Sequence, residues 1–197
     1  MSDQDIEIFD RQLLRQRRNR SAAMWQDHHF LHTEIADRLA DRVHDINRQF
    51  GLALHMGAHP EGIAACLPDM DFIHTNLAEK RLSPLNGPKV VCDDELLSFK
   101  DDSFDLVISN LALHNVNDLP GALIQIRRIL KPDGLFLASM FGGDTLHEFR
   151  QAMMKAEIDT IQGSSPRVAP TADVRDRGSL LQRAGFVMPV TDLDTIT

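Results

Sequence analysis

The chain is predicted to form an open, mostly parallel α/β sheet with helices on both faces, preceded by a helical extension. Short apolar runs alternate with amphipathic stretches from residue 51 onward, which is typical of parallel strands connected by helices. A turn containing glycines follows the first apolar run. The residues before it have helical periodicity instead. We therefore expect a helical N-terminal extension at 1–48 and an α/β domain at 49–197.

The extension is predicted to contain two helices. The first, Ile6 to Arg20, carries an arginine cluster at positions 11, 15, 17, 18 and 20. This cluster is either a solvated face or a basic arm in which Arg15, Arg17, Arg18 and Arg20 close over a pocket or dock a partner. In the second helix, apolar residues from Leu31 to Ile46 form one stripe for packing on a core. His28, His29 and His32 are interpreted as helix-surface residues.

Five strands are predicted in the α/β domain, at 52–56, 71–75, 89–92, 104–109 and 135–140. Helices are predicted at 60–67 and 119–130, and the segment 131–134 (Lys-Pro-Asp-Gly) ends the second of them. In such sheets, ligands bind beyond the carboxyl ends of the strands. The residues that directly follow the strands are therefore candidates for a site: Gly57, Asn76, Asp93, Asn110 and Phe141.

The turn after the first strand is an imperfect version of a nucleotide-binding turn. Gly57 provides the open backbone that allows close approach to a ligand. His59 and Glu61 stand where glycines are usual, and Gly62 compensates in part if the turn is one residue longer. On its own this turn is only weak support for ligand binding.

Composition, charge and residue spacing argue against several classes of protein and of site. The net charge of −8 argues against a general nucleic-acid binder. No apolar run approaches the roughly 18 residues that a membrane helix needs. Cys66 and Cys92 lack Cys-x-x-Cys spacing and are interpreted as reduced thiols of a cytoplasmic protein. The acidic N-terminus resembles neither a signal peptide nor a transit peptide. No metal site and no Ser-His-Asp set is predicted.

Several motifs resemble one enzyme superfamily. The segments 93–99, 103–107, 113–118 and 129–134 resemble class I S-adenosylmethionine-dependent methyltransferases, which have a Rossmann-like fold. The segments 8–11, 36–38, 41–43 and 140–146 (Met-Phe-Gly-Gly-Asp-Thr-Leu) resemble the methyltransferase-like assembly factor 5 of respiratory complex I. That family is in turn similar to the malonyl-carrier-protein methyltransferase of biotin synthesis. The resemblance runs from about residue 8 to the end.

The resemblance implies a cofactor site for S-adenosylmethionine, with altered anchors. His55 stands where an aspartate usually precedes the turn, and Asn76 stands where an acid usually binds the ribose hydroxyls. Asp93, followed by Asp94, matches the acceptor for the adenine amino group, and Asn110 follows the fourth strand. Weak or lost cofactor binding is therefore expected. His114 is the candidate catalytic residue, as a group that orients or deprotonates a substrate, although a structural loop histidine is an equal alternative.

The family resemblance implies action on a protein, an arginine in an iron–sulfur subunit of complex I, in a bacterial cytoplasm. Two alternatives stay open: a non-catalytic assembly or scaffold protein, and a methyltransferase for a carrier protein or small molecule. A helix is predicted at Arg177–Ala184 and a sixth strand at Phe186–Ile196. The family's usual seventh strand is missing, so the chain is either a fragment or has an unusual sheet edge. The sixth strand is expected to pair with strand five, within one chain or exchanged in a homodimer.

Overall fold

The computed structural model describes residues 7–161, 163 and 174–196. Chain contacts divide the protein into two compact units, Met1–Met140 and Phe141–Thr197. The first unit contains a parallel five-stranded sheet with the order β3-β2-β1-β4-β5. This confirms the predicted α/β class. Its strands are β1 (Ala53–Met56), β2 (Phe72–Asn76), β3 (Lys89–Val91), β4 (Phe104–Asn110) and β5 (Leu130–Ser139). The predicted domain boundary after residue 48 stays a prediction.

The N-terminal region is helical, as predicted, but with more breaks. It contains α1 (Arg11–Ser21), a 3-10 turn (Ala22–Met24), α2 (Trp25–His28) and α3 (Phe30–His44). Asp10 caps α1 because its side chain accepts a hydrogen bond from the amide of Leu13 at 2.8 Å. The part of the predicted first helix at Ile6 lies outside the described residues. The predicted stripe of the second helix is confirmed in part in α3, where Leu39 and Val43 are buried beside Ala36 and Ala40. Leu31 and Ile35 are half-buried, and Ile46 lies after the end of the helix.

Short helices connect the strands: α4 (Ile63–Cys66), α5 (Glu79–Leu82) and α6 (Leu119–Ile129). Asp118 caps α6 by accepting from the Gly121 amide, and Leu123, Ile126 and Ile129 form its buried face. The predicted helix at 60–67 is reduced to α4 because the turn occupies residues 57–62. The core cluster joins α3 to the sheet through apolar residues, among them Leu39, Val43, Ala53, Leu106 and Ile108. Burial of this apolar face stabilises the packing of α3 on the strands.

Strand β5 begins earlier than predicted. The helix α6 ends at Ile129, and β5 starts at Leu130 rather than at Leu135. Pairing with β4 has a register irregularity between Phe104 and Leu106, where the segment 131–134 passes. Asp133 has a φ of 60°, so this Lys-Pro-Asp-Gly segment bends within the strand.

The second unit contains α7 (His147–Ile161) and α8 (Val174–Arg183). The predicted helix at 177–184 is confirmed as α8, whereas the pattern at 147–161 was missed. The predicted sixth strand is wrong, because residues 186–196 form neither helix nor strand. Met188 has a φ of 51°, and Pro189 has no amide hydrogen to donate to a ladder. In the described residues β5 is therefore the outer strand of the sheet. Exchange of this segment between two chains stays untested.

None of the helices in the described residues combines the length and the apolar character that crossing a membrane requires.

Candidate functional site

The turn after β1 requires glycine at one position. Gly57 has a φ of 64°, in the left-handed region, and a Cβ there would lie 2.3 Å from the Cβ of Ala112. The amide of Ala58 donates to the Thr75 carbonyl at 2.8 Å and ties the turn to β2. Glycine is therefore required at position 57, because Ala112 in the loop after β4 occupies the space that a side chain would need. Its contact with a cofactor stays a prediction.

His59 fills the rest of this turn with a side chain. The residue is buried, and a Cβ added to Gly62 would lie 2.7 Å from its ring. Glu61 has a φ of 57°, and its carboxylate accepts from Gln26 and pairs with His29. The two departures from the glycine pattern are thus accommodated by side chains that pack the turn against the N-terminal helices.

A cluster of aromatic and imidazole rings surrounds this turn. Trp25 lies 4.5 Å from the ring centroid of His59 and 4.8 Å from that of His32. His32 and His59 are 4.7 Å apart. Burial, followed by the charge of Arg81, lowers the pKa of His32 to about 4. His32 is therefore half-buried against Trp25 and His59, so the prediction of a surface residue is wrong for it. His29 is partly exposed and pairs with Glu61, and His28 is exposed, as predicted.

The candidate residue His55 is the deepest member of this cluster. It is fully buried at the end of β1, with its ring centroid 5.4 Å from that of His74 and 6.1 Å from that of His59. Burial, with smaller contributions from His59 and His74, holds the pKa of His55 well below its ordinary value. Nε2 of His55 is buried without a hydrogen-bond partner among the described residues. The imidazole is thus neutral at pH 7 and provides no countercharge for a cationic ligand.

Asn76 is used to build the turn. Its amide nitrogen donates to the Ala58 carbonyl and its amide oxygen accepts from the Ala78 amide, both at 2.8 Å. The side chain is buried at the end of β2. A carboxylate could not make the first of these bonds because it has no donor when ionised. The sequence prediction that Asn76 is a weak ribose anchor remains untested, but its contacts assign it a structural role.

The carboxylate of Asp93 is bound by Arg11, the first residue of α1. Arg11 binds both of its oxygens, with Nε to Oδ2 at 3.1 Å and Nη2 to Oδ1, and also donates to the Asn115 carbonyl. Burial alone would raise the pKa of Asp93. Hydrogen bonds from Arg11 and from the Glu95 amide outweigh that cost, and the pKa is lowered. The predicted adenine acceptor is therefore saturated in this structure by a two-pronged ion pair.

Asp94 differs from its neighbour, because neither carboxylate oxygen has a hydrogen-bond partner in the described residues. Its side chain is 1% exposed, and Oδ2 lies 3.7 Å from Nη1 of Arg18 and 3.9 Å from Nη2 of Arg11. Burial raises the pKa of Asp94, with the two arginines acting against that shift. An acceptor that is buried but unbonded at the end of β3 fits an amino donor of an adenosine group.

The two remaining candidates lie at the end of β4 and in the turn after it. Asn110 is buried, donates to the His32 carbonyl at 2.8 Å and accepts from the Ser139 hydroxyl at 3.1 Å. It therefore joins α3, β4 and β5. His114 lies in a 3-10 turn (Leu113–Asn115), with its Nε2 3.0 Å from the side-chain nitrogen Nδ2 of Asn115. This contact accounts for its orientation, and a catalytic role stays a prediction.

No three side chains of the metal-ligating types lie close enough to hold a metal ion, among the residues that the structure describes. Cys66 and Cys92 are free thiols. Burial raises the pKa of Cys66 to about 11, so its thiol stays protonated at neutral pH and is a poor nucleophile.

Sequence reasoning missed how the N-terminal region completes the site. The predicted basic arm contained Arg18, which does reach Asp94. Its other members, Arg15, Arg17 and Arg20, are exposed. The strongest contact instead comes from Arg11, which the sequence analysis had placed in the family motif at 8–11 without a role. Asn117 fixes the same motif by accepting from the amides of residues 8 and 9 at 2.8 and 2.7 Å.

Replacing Arg11 with glutamine should destabilise the N-terminal region. The change removes a bidentate, partly buried charge pair, and we expect unfolding free energy to fall by roughly 1.5–3 kcal/mol. Urea unfolding of Arg11→Gln, Asp93→Asn and the double variant measures the coupling between the pair. Arg15→Gln on the exposed side of α1 is the matched control. Additive effects of the two single changes would mean that the ion pair contributes nothing.

Comparison with known proteins assigns the fold to a family. A methyltransferase domain family matches residues 58–138. The chain is 43% identical over 205 residues to the mitochondrial arginine-hydroxylase NDUFAF5 of Homo sapiens, covering 99% of this chain and 59% of that protein. Identity to the NDUFAF5 of Danio rerio is 38%, covering 99% of this chain and 64% of that protein. The chain thus spans about three fifths of the length of these relatives.

Three further comparisons agree. The malonyl-[acyl-carrier protein] O-methyltransferase of Halorhodospira halophila is 34% identical over 209 residues, covering 100% of this chain and 69% of that protein. A SAM-dependent methyltransferase of Thermotoga maritima has the same fold, with a TM-score of 0.65 at 17% identity over 86% of this chain and 80% of that one. A methyltransferase in complex with the Trm112 activator of Haloferax volcanii also scores 0.65, at 19% identity, over 87% and 75%. The chain belongs to the class I S-adenosylmethionine-dependent methyltransferase superfamily, in the group that includes NDUFAF5 and the malonyl-carrier-protein methyltransferases.

Proposed function

We propose that this protein is a cytoplasmic, S-adenosylmethionine-dependent enzyme of the NDUFAF5 type that modifies an arginine of a respiratory complex I subunit. The observation that carries the proposal is the 43% identity to the human arginine-hydroxylase over 99% of this chain. The methyltransferase domain match and the SAM-dependent structural relatives support the cofactor. The cofactor supplies an activated methyl group on a sulfonium centre, so that the protein's main contribution is positioning.

The residues at the strand ends fit this cofactor in part. The unbonded carboxylate of Asp94 suits a nucleoside ligand. Asn76 is engaged with the turn, His55 is neutral, and Asp93 is bound by Arg11. We infer that Asp94 is the main acceptor for the adenosine part, and that Asp93 becomes available only when Arg11 withdraws.

Calorimetry with S-adenosylmethionine and S-adenosylhomocysteine tests this proposal. A lost charged hydrogen bond costs roughly 1.5–3 kcal/mol, or about one to two decades of affinity, so we expect a dissociation constant weaker than micromolar. A submicromolar value would contradict the inferred degenerate site. Absence of any binding would instead favour the non-catalytic scaffold, for which the occupied Asn76 and Asp93 are the supporting contacts.

The variant Asn76→Asp separates a ribose anchor from a structural residue. Because the introduced carboxylate would face the Ala58 carbonyl in a buried position, we expect a loss of roughly 1–3 kcal/mol in stability and no tighter cofactor binding. Urea unfolding and calorimetry on the same preparation measure both. A tenfold gain in cofactor affinity would show that position 76 does contact the ribose.

A carrier-protein methyltransferase is the second candidate, favoured by the 34% identity to the Halorhodospira enzyme over this whole chain. Incubation of the protein with labelled S-adenosylmethionine and either malonyl-carrier protein or complex I subunits distinguishes the two. Methyl label on the carrier protein alone would support this candidate against the arginine-modifying role. Mass spectrometry of the subunit arginines detects the modification that the first proposal requires.

A further inference from the structure

The helix α1 carries more arginines than the fold uses. Residues 11–26 include five arginines and no aspartate or glutamate, although the net charge of the chain is −8. Arg11 and Arg18, on the inner face of α1, pair with carboxylates at the end of β3. The other three are exposed, and their side chains have no hydrogen bond or ion pair among the residues that the structure describes: Arg15, Arg17 and Arg20.

Exposed apolar side chains accompany two of these arginines. Leu13, Arg17 and Arg20 follow one another at spacings of four and three residues, which places them on one face of the helix, opposite to the face of Arg11. Leu13 is 40% exposed, and Met24, in the 3-10 turn that continues α1, is 52% exposed. We call these four residues, Leu13, Arg17, Arg20 and Met24, the outer stripe of α1.

Neither the helix dipole nor simple solvation accounts for the outer stripe. Arg20 lies in the last turn of α1, where a cation interacts favourably with the dipole, but Arg17 lies before that turn. A face that only keeps the protein in solution gains nothing from exposing Leu13 and Met24, because apolar area left in water costs free energy. The combination of arginine with apolar side chains, and without lysine, is instead typical of protein–protein interfaces.

We propose that the outer stripe of α1 is a docking surface for an acidic, amphipathic segment of a partner protein. Arg17 and Arg20 supply guanidinium forks for carboxylates of that segment, and Leu13 and Met24 contact its apolar side chains. The surface goes beyond the proposed arginine modification, since it lies on the face of α1 opposite to the one that reaches the strand ends.

Charge favours an acidic protein over a lipid surface. Segments that hold a protein on anionic lipid usually carry about four to eight clustered cations, and the outer stripe has two. The net charge of −8 opposes the approach of this protein to an anionic membrane and to a second copy of itself. A narrow acidic segment that contacts only the stripe avoids most of that repulsion, because charges beyond about 8 Å are largely screened at physiological salt.

Fluorescence anisotropy with a synthetic peptide tests the proposal. The probe is a fluorescein-labelled peptide of glutamate and leucine with helical periodicity, and the comparison peptide has lysine in place of each glutamate. We expect saturable binding of the glutamate peptide, weakened by added potassium chloride, and no binding of the lysine peptide. Absence of saturable binding, or equal binding of the two peptides, would overturn the proposal and leave a solvated helix face.

Paired variants locate the binding surface. Arg17→Gln combined with Arg20→Gln should weaken peptide affinity by roughly three- to thirtyfold, as the loss of two exposed ion pairs predicts. The matched control, Arg15→Gln combined with Arg183→Gln, removes the same charge from exposed positions outside the stripe and should keep the wild-type affinity. Arginine and glutamine have similar helix propensities, so both variants should fold, which circular dichroism checks. Equal affinity in the two variants, whether unchanged or reduced, would refute the assignment to the outer stripe.

Two further measurements exclude other occupants. Cosedimentation with phosphatidylglycerol vesicles that the Arg17 and Arg20 changes abolish, without peptide binding, would contradict the proposal in favour of a membrane surface. A wild-type dimer in light scattering that the same changes dissociate would contradict it in favour of a second copy. Calorimetry should give the same S-adenosylmethionine affinity for this variant and wild type. If no cofactor binds to either, the proposed enzymatic function fails, whereas the peptide result still decides the docking surface.

Discussion

Mild acid should destabilise this protein before most carboxylates are protonated. Burial lowers the pKa of His59 to about 3 and that of His32 to about 4, whereas both titrate near 6.5 in an unfolded chain. The unfolded state therefore binds more protons than the folded state over the interval between these values. The stability that these neutral rings allow is complete above pH 6.5 and is lost as the pH falls.

The expected loss of unfolding free energy is large for so small a change in pH. His32 and His59, which protonate only on unfolding, together lower the unfolding free energy by roughly 2–3 kcal/mol between pH 6 and pH 5. The buried His55, whose pKa is also lowered, adds to this loss. Urea titrations at pH 7, 6 and 5 measure this loss. The groups that oppose protonation of the two rings are Arg81, Arg18 and His29, and His55 from β1 also faces His59.

A matched pair of variants tests which rings are responsible. His59→Gln removes one titrating group, so the loss between pH 6 and pH 5 should shrink by about 1 kcal/mol, whatever the variant does to absolute stability. His28→Gln, at an exposed position on α2, should keep the wild-type dependence. If His59→Gln keeps the full dependence as well, the acid sensitivity arises elsewhere.

Gly57→Ala should produce the largest loss of stability from a single methyl group. The left-handed backbone at this residue costs an alanine about 1–2 kcal/mol, and the added Cβ would overlap the Cβ of Ala112. Overpacking adds roughly 1–3 kcal/mol, since β1 and the loop after β4 must separate. We expect a total loss of roughly 2–5 kcal/mol, measured by urea unfolding, together with loss of any cofactor binding at the turn.

The control for this change is Gly143→Ala. A Cβ at Gly143 meets no atom within 4 Å, so its effect should stay within about 0.5 kcal/mol. Similar behaviour of the two variants would show that the turn relaxes around the new methyl group. In that case the close approach at Gly57 would not constrain the site.

The sequence alone determined the sheet and the helices that cover it. The nearly continuous buried run of Phe104–Asn110 and the stripe of α3, which has a period of about 3.6 residues, are local patterns. They survive because the same side chains that set the period also form the core. The apolar run after residue 186 does not form a strand, because Met188 has a positive φ and Pro189 has no amide hydrogen to donate.

The tertiary structure alone decided what the candidate site residues do. From the sequence, Asp93 is predicted to be a cofactor acceptor, but in the structure its carboxylate is bound by Arg11, 82 residues earlier. Asn110 is likewise predicted to be a site residue, but its side chain donates a hydrogen bond to the carbonyl of His32, 78 residues away. Hydrogen bonds and buried charges depend on partners that meet only after folding, and no periodicity along the chain encodes them. The strand ends therefore predicted where the site lies, while long-range contacts determined which of its groups remain available to a ligand.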